Sequence, residues 1–297
     1  MYDATYLSFG GGVQSTALMI LSALRKNGVP KATAAIFADT QGELPATYAH
    51  IKKMQEFGDA HRLPLFITTK GNLEQDVLVG TGASHGSIPA FIKTRKMVAC
   101  MCRARNHGTP DPECVFCDGR GDFEEWGRGI QRRLCTYDFK LMAIISKTRE
   151  LLGLQKGERA KGVYKTRAMM GISFDEVVRM KPSKTEWIDN YYPLVDARLT
   201  REDCKKIIAE HGFDVPPRSS CYFCPYHRDR YWAWLKKTYP DQFQRAIEFD
   251  VKLRNSQPGL DGEAFLHDSL KPLSEIDFDE KQKELGFNNE CEGACGV

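Results

Sequence analysis

Three consecutive glycines near the N-terminus join a short β-type segment, residues 4–9, to a segment whose apolar residues recur with helical spacing. Glycine lets the main chain approach a phosphate closely, because it has no β-carbon. The first turn of a helix offers unpaired N–H groups and a partial positive charge. The junction therefore predicts a phosphate-binding loop, with a tight structural turn as the alternative. Its candidate ligands are Ser8, Gly10, Gly11, Gly12, Gln14 and Ser15.

A second chemical signal is a set of four cysteines in the middle of the chain. Cys100 and Cys102 are followed, after a short loop, by Cys114 and Cys117. Two close pairs separated in this way allow four sulfurs to converge on one zinc ion at about 2.3 Å. The surrounding segment has few apolar residues, so a metal could supply its folding energy. The pattern predicts a structural zinc site, with two independent pairs of free thiols as the alternative.

The elements that must position the glycine loop alternate between strands and helices. The β-type segments 33–38 and 65–69 flank a helical segment, 45–61. This order predicts an α/β fold with a parallel sheet flanked by helices. Ligands of such sheets bind at the carboxyl ends of the strands. Asp39 follows the second strand, so we expect it near the loop, where it could bind a ribose hydroxyl or Mg²⁺, or cap the next helix.

The alternation of strands and helices is interrupted between residues 71 and 130, where glycine, proline, cysteine and arginine are frequent. We interpret this segment as a cysteine-rich insertion in a domain that spans residues 1–250. The remaining expected elements are helices at 135–152 and 228–250, a strand at 167–172, and a C-terminal extension at 251–297 that ends in an acidic tail.

Composition and charge exclude some classes of protein. Of the 297 residues, 42% are hydrophobic and 27% are charged, as in ordinary globular proteins. No apolar run approaches the roughly 20 residues of a membrane span, and the N-terminus lacks a signal-peptide pattern. We therefore expect a cytoplasmic protein with no membrane partner. The net charge is only +3, but residues 91–107 carry basic side chains and no acidic one, which is typical of a solvated face or of a phosphate or nucleic-acid site.

The glycine loop resembles the PP-loop of N-type ATP pyrophosphatases, whose Ser-Gly-Gly-x-Asp-Ser pattern aligns with residues 10–15. Gly10 replaces the first serine of that pattern, and Gln14 replaces its aspartate. Members of this family bind ATP with Mg²⁺, split it between the α and β phosphates, adenylate a substrate and release pyrophosphate. The resemblance implies an adenine nucleotide as ligand and an adenine nucleotide α-hydrolase-like fold.

Four further segments resemble motifs of the phosphoadenosine phosphosulfate (PAPS) reductase branch of this family, in the same order. The resemblance implies that Arg133 and Lys140 could pair with a phosphate or a sulfate. The alternative for each is a surface charge on a helix. The four segments are residues 37–47, 133–140, 171–176 and 219–226.

Three cysteines of these motifs are candidates for iron–sulfur chemistry. Cys221 and Cys224 form a close pair without a local partner, and Cys135 belongs to an earlier motif. Three cysteines brought together by a fold can hold a [4Fe–4S] cluster with one open iron, and some sulfur-transfer members of the family use such a cluster. The alternatives to a cluster are a redox dithiol and simple packing. We also expect Cys135 to be a catalytic residue.

The end of the chain carries Cys291 and Cys295 among glycines and acidic residues. It resembles the Glu-Cys-Gly end of PAPS reductases, whose cysteine attacks sulfur. A mobile thiol can enter an active site, and a second thiol can release what the first has formed. Acidic neighbours raise a thiol pKa unless the tail docks on a basic surface. We expect both cysteines to be catalytic, with an unstructured tail as the alternative.

Together these patterns predict an enzyme that binds ATP or a related adenine nucleotide, adenylates a substrate and transfers sulfur from a donor protein. One alternative is a thiol-dependent reductase of a sulfonucleotide, which a thioredoxin-like reductant would serve. A third hypothesis belongs to another class of protein. It is a non-catalytic module on the same fold, whose cysteine-rich insertion binds nucleic acid.

Overall fold

The computed structural model describes residues 2–79, 88–256, 260 and 262–278. The chain divides into two compact units. The first holds Met1–Glu74 and Cys135–Tyr222, and the second holds Gln75–Leu134 and Phe223–Glu284, each as far as it is described. The predicted tail thiols Cys291 and Cys295 lie outside the described residues.

The elements are numbered in chain order. The strands are β1 (Ala4–Ser8), β2 (Ala34–Asp39), β3 (Leu65–Thr69), β4 (Phe91–Ala99), β5 (Asp122–Ile130), β6 (Thr166–Met170), β7 (Ile188–Tyr191) and β8 (Glu263–Phe265). The α-helices are α1 (Val13–Leu24), α2 (Pro45–Ala60), α3 (Leu73–Val79), α4 (Met101–Arg105), α5 (Met142–Leu151), α6 (Pro193–Asp196), α7 (Arg201–Glu210), α8 (Asp229–Thr238) and α9 (Pro240–Leu253). None of these described helices combines the length and the apolar character that crossing a membrane requires.

The sheet of the first unit has five parallel strands in the order β3–β2–β1–β6–β7. Successive residues of a strand face opposite sides of the sheet. On one side Leu7 and Phe37 share a core with α1, α2 and α7. On the other side Tyr6 and Ile36 share a core with α5. The predicted α/β fold, a parallel sheet flanked by helices, is confirmed.

The second unit contains an antiparallel hairpin of β4 and β5, paired from Phe91 with Ile130 to Ala99 with Asp122. Strand β8 pairs with the other edge of β4. Both hairpin strands lie between β3 and β6 in the sequence and outside the parallel sheet, which confirms that the cysteine-rich segment is inserted. Helices α8 and α9 bury large aromatic side chains, among them Trp232, Phe243 and Phe249.

A buried carboxylate joins the end of α9 to the segments that follow it. Asp250 is almost fully buried, and its Oδ2 accepts a hydrogen bond from Nη2 of Arg254 at 2.7 Å. Its oxygens also accept backbone hydrogen bonds from Leu266 at 2.8 Å and from Leu273 at 3.2 Å. Because a buried carboxylate is stable only with such partners, Asp250 fixes how this part of the second unit folds.

The helix predicted at 228–250 is wrong as a single element, because α8 ends at Thr238 and α9 begins at Pro240. Proline has no amide hydrogen and restricts the residue before it, so Tyr239 leaves the helical conformation, with φ −134° and ψ 67°. The helix predicted at 135–152 is not uniform either. Thr136–Leu141 is a π-helix that precedes α5, a rare form for which the sequence carries no signal.

Candidate functional site

The glycine loop follows β1 and leads directly into α1, as the sequence predicts. Gly11 has φ +73°, a left-handed conformation that other residues rarely adopt. The hydroxyl of Ser15 accepts a hydrogen bond from the amide of Gly12 at 3.2 Å and donates to its carbonyl at 3.1 Å. Ser15 therefore holds the loop against the first turn of α1, and the amides of that turn stay available to a ligand.

Strand β6 pairs with β1, and the residue after it, Gly171, packs against the start of α1. A β-carbon on Gly171, just after β6, would lie 2.8 Å from the amide nitrogen of Ser15 and 3.0 Å from its Cα. Only glycine permits this contact without a shift of the backbone. The Gly171 motif thus lies against the phosphate loop, and the segment that follows it, including Ser173, is positioned by that contact.

The side chain of Gln14 is 93% buried and points toward α7. Its Oε1 accepts a hydrogen bond from Nη1 of Arg201 at 3.0 Å. The sequence patterns do not single out Arg201, although one signal was present. Arg201 is the first residue of α7, where the helix dipole disfavours a cation, so a basic side chain at this position calls for a specific partner.

Among the buried polar side-chain atoms of the first unit that lack a hydrogen-bond partner in the described residues, three belong to the glycine loop or to segments beside it. They are Nε2 of Gln14, Oγ1 of Thr47 and Oγ of Ser173. Thr47 borders the loop, because its Cγ2 lies 3.6 Å from the place of a β-carbon on Gly11. A buried polar group without a partner costs about 1–3 kcal/mol, so three at one loop suit a ligand rich in acceptor oxygens.

Asp39 ends β2 and is tied into the loop that follows it. Its Oδ1 accepts hydrogen bonds from the amide of Gln41 at 2.7 Å and from the hydroxyl of Tyr48 at 2.9 Å. The alternative that Asp39 caps the next helix is wrong, because Leu44 is the N-cap of α2. Its carboxylate is partly exposed at the carboxyl end of the sheet, where a ligand of a parallel sheet binds.

Glu43 is a buried acidic residue that the sequence patterns do not single out. Its carboxylate is completely buried, and Oε1 lies 3.8 Å from Nζ of Lys140. Burial raises the pKa of Glu43, and the charge of Lys140 opposes that effect. Lys140 is therefore half-buried beside a carboxylate rather than a free surface charge. The available signal was the position of Glu43 just before α2, where a helix N-terminus favours an acid.

Two predicted cysteines lie near this ion pair. The Sγ of Cys221 is 3.1 Å from Oγ1 of Thr40. Burial, and to a smaller extent the charges of Glu43 and Cys135, raise the pKa of Cys221 to about 12, while Lys140 and the hydrogen bond with Thr40 oppose the rise. Cys135 and Cys221 are therefore close enough to interact electrostatically, and the Cys221 thiol is protonated at neutral pH.

Two residues that the sequence motifs predict for the nucleotide or cluster site belong to the second unit. Arg133 is in the second unit, where its guanidinium lies 5.5 Å from the ring centroid of Tyr226. Cys224 also belongs to the second unit. Within the first unit, the structure brings the glycine loop together with Gln14 and Arg201, and Lys140 together with Glu43 and Cys221.

The four cysteines of the insertion converge at the end of the β4–β5 hairpin. Their sulfur atoms all lie within 4.8 Å of one another, and no other described histidine, cysteine or acidic group joins them. The Sγ atoms of Cys100 and Cys114 are 3.6 Å apart, as are those of Cys102 and Cys117. Four ligands at 2.3 Å from one tetrahedral ion are about 3.8 Å apart, so these residues fit a single zinc ion.

The surroundings of the four sulfurs also suit a bound cation. The backbone amide of Gly121 donates to Sγ of Cys117 at 3.2 Å, which stabilises a thiolate and orients it. The four thiols differ in acidity: the pKa of Cys114 is lowered to about 7, chiefly by the backbone amide of Phe116, whereas burial raises the pKa of Cys117. The Cys102 amide lowers the pKa of Cys100, but burial and the neighbouring thiols together raise it to about 12. In a [4Fe–4S] cluster each thiolate binds a different iron atom, so its four cysteine sulfurs are spaced more widely than these.

Neither a protein-family model nor a curated protein matches this chain. Among solved structures, it is similar to the U34-tRNA thiolase NcsA from Methanococcus maripaludis with its [4Fe-4S] cluster. The identity is 11% and the TM-score is 0.34, over 96% of this chain and 83% of that one. A TM-score this low carries no weight for activity, so the assignment of function depends on the residues described above.

Proposed function

We propose that this chain is an enzyme that binds ATP at the glycine loop and splits it between the α and β phosphates. The observation that carries the proposal is the set of three buried, unpartnered polar atoms of Gln14, Thr47 and Ser173 beside that loop. Together with the first-turn amides of α1, they offer the hydrogen-bond donors that phosphate oxygens require. Mg²⁺ would offset the charge of the phosphates, and Asp39 is the carboxylate placed to bind it or a ribose hydroxyl.

The pair formed by Gln14 and Arg201 bears on how the phosphates are held. Gln14 stands where the resembling family has an aspartate, and because it is neutral it orients the guanidinium without cancelling its charge. A positioned guanidinium can bind two phosphate oxygens at once. An acidic side chain at position 14 would neutralise the positive charge of Arg201, whereas Gln14 leaves that charge available to bind the nucleotide.

In the proposed reaction a substrate oxygen attacks the α phosphorus. The new P–O bond forms as the bond to the β phosphate breaks, and pyrophosphate leaves with the electron pair. A sulfur carried on a cysteine then attacks the adenylated carbon. The C–S bond forms as the C–O bond breaks, and AMP leaves. A second cysteine thiolate then attacks the sulfur of the carrier cysteine, the S–S bond breaks, and the substrate sulfur leaves with the electron pair. The two cysteines remain as a disulfide, which a thiol reductant must return to thiols before the next turnover.

Cys135 and Cys221 are the described candidates to carry that sulfur, and Cys291 and Cys295 are candidates from sequence alone. The raised pKa of Cys221 means that its thiol must lose a proton before it reacts. A sulfur-donor protein would supply the sulfur. If Cys135, Cys221 and Cys224 hold a [4Fe–4S] cluster, that group would supply an open iron that binds sulfide.

We also propose that the four converging cysteines hold a structural zinc ion. The spacing of the sulfurs and the amide donated to Cys117 support this assignment. Four protein ligands leave no open position for a substrate. The zinc would therefore stabilise the hairpin of the second unit and take no part in the reaction.

The proposed activity is tested by supplying ATP, Mg²⁺ and candidate substrates, and measuring AMP and pyrophosphate. Formation of both products in equal amounts, and their loss in an Arg201→Gln variant, supports the proposal. ADP and phosphate as products would contradict cleavage between the α and β phosphates. Release of sulfite from a sulfonucleotide, with ATP left intact, would favour the thiol-dependent reductase.

A further inference from the structure

The β4–β5 hairpin presents a cationic strip on one face. Because side chains alternate and paired residues share a face, Lys93, Arg95, Trp126 and Arg128 lie on the same side. We define these four residues as the hairpin strip. Lys96 and Glu125 are paired with each other on the opposite face. The strip combines three positive charges with one large aromatic ring.

The ring at the centre of the strip is both exposed and surrounded by cations. Trp126 is 53% exposed, which is unusual for a tryptophan. Nζ of Lys93 lies 4.5 Å from its ring centroid, and the guanidinium carbon of Arg95 lies 5.1 Å away. Arg128 faces Lys93 across the strands and donates to the carbonyl of Asp268. This arrangement keeps an aromatic platform and positive charge within one small area.

Two acidic residues, Glu124 and Glu263, lie on the same face as the hairpin strip. Neither prevents an anionic ligand from binding there. Glu124 lies 3.7 Å from Arg95, but both side chains are mostly exposed, and such pairs contribute little. Glu263 on β8 is opposite Lys93. A phosphate can replace an exposed carboxylate as the partner of an arginine, with a better geometric match.

We propose that the hairpin strip binds single-stranded nucleic acid. A base would stack on Trp126, and the backbone phosphates would pair with Lys93, Arg95 and Arg128, which is how proteins commonly hold single strands. A duplex keeps its bases stacked inside, so it cannot use the ring in this way. The inference does not depend on the proposed ATP reaction, because it concerns residues of the second unit only.

The experiment measures binding of fluorescent oligonucleotides to the full-length, zinc-loaded protein by anisotropy, at several salt concentrations. Single-stranded RNA and DNA of one sequence are compared with the corresponding duplex. We expect tighter binding to a single strand than to the duplex, with affinity that falls as salt rises. The tighter of the RNA and DNA arms identifies the source of the ligand.

Three variants of the strip and one control variant define its contribution. Trp126→Ala should weaken single-strand binding roughly tenfold or more, and Trp126→Phe should retain most of it. Lys93→Gln with Arg95→Gln should weaken binding and lower the slope of affinity against salt by roughly two. Lys96→Gln, on the opposite face of the same strand, is the matched control and should change the affinity little. Zinc content and circular dichroism confirm that each variant is folded.

Several results would overturn the proposal. They are equal affinity of wild type and the folded Trp126→Ala variant, an equal loss in Lys96→Gln, or a duplex that binds as tightly as a single strand. Polyglutamate of matched charge that competes as well as the oligonucleotide would assign the strip to an acidic protein partner. ATP binding measured on the same variants separates these results from a failure of the nucleotide site.

Discussion

The amide oxygen of Gln14 and the guanidinium of Arg201 are joined by a hydrogen bond of 3.0 Å. They are distant in the sequence, and the bond connects the first turn of α1 to the first residue of α7. Both residues lie in the first turn of their helices, and helix N-termini favour anions. The pair therefore places a positive side chain between two helix ends that already favour phosphate.

Replacing the cation tests whether this pair holds phosphate. We expect Arg201→Gln to lower ATP affinity about ten- to a hundredfold, because a hydrogen bond to a charged group is worth about 1.5–3 kcal/mol. Calorimetric titration of ATP with Mg²⁺ measures the change. Lys206→Gln, an exposed charge on the same helix, is the control and should bind ATP normally. An equal loss in both variants would contradict a specific role for Arg201.

The reactivity of Cys221 should depend on Glu43. Its pKa of about 12 results chiefly from burial and then from the Glu43 carboxylate, while Lys140 opposes both. Glu43→Gln removes the negative charge, so we expect the Cys221 pKa to fall and alkylation by iodoacetamide at pH 9 to become faster. Lys140→Gln should have the opposite effect. Mass spectrometry of the Cys221 peptide over a pH series measures both. Identical profiles in all three proteins would rule out this coupling.

Zinc content should depend on the four converging cysteines. We expect about one zinc per chain, and Cys117→Ser should lose it and unfold the hairpin, because thiolates at about 2.3 Å dominate such sites. Affinity should fall on acidification, since protons compete for the sulfurs. Cys204→Ala is the control, because this buried thiol lies in the first unit and should leave zinc bound. A wild-type protein that contains iron and no zinc would contradict the assignment.

The stability of the second unit should depend on Asp250. Its carboxylate accepts from two backbone amides and from Arg254, so Asp250→Ala leaves two buried amides unpaired and removes the anionic partner of Arg254. We expect the free energy of unfolding to fall by about 3–5 kcal/mol. Urea denaturation measures the change, with Glu248→Ala, an exposed acid of the same helix, as the control. A loss below about 1 kcal/mol would show that the ion pair is replaceable.

The order of strands and helices in the first unit follows from local patterns, and so does the place of the glycine loop. Apolar periodicity and glycine spacing act over a few residues, which makes them readable in the sequence. The four cysteines are similarly local, because two short loops bring them together. The break at Pro240 was also readable, since proline stops a helix.

Contacts between segments that are distant in the sequence could not be predicted from such local patterns. The positions of Arg201 and Glu43 at helix N-termini do not indicate which residues they contact, and only the packing of the sheet brings them to Gln14 and Lys140. Arg133 and Cys224 belong to the expected motifs, yet the chain divides so that both fall in the second unit. Division into units depends on the sum of many tertiary contacts, which no single motif reports.

ATP binding to the variant Gly12→Ala tests the central claim most directly. Gly12 has ordinary backbone angles, and a β-carbon there would meet no atom of the protein within 4 Å, so the folded chain should tolerate alanine. Gly11 is a poorer test, because its positive φ would strain any replacement. Gly129→Ala, in the second unit, is the control. We predict an unchanged melting temperature and at least about tenfold weaker binding of ATP with Mg²⁺ in Gly12→Ala. Equal ATP affinity in Gly12→Ala and wild type, or no binding by wild type, would contradict the assignment of the loop as a phosphate site.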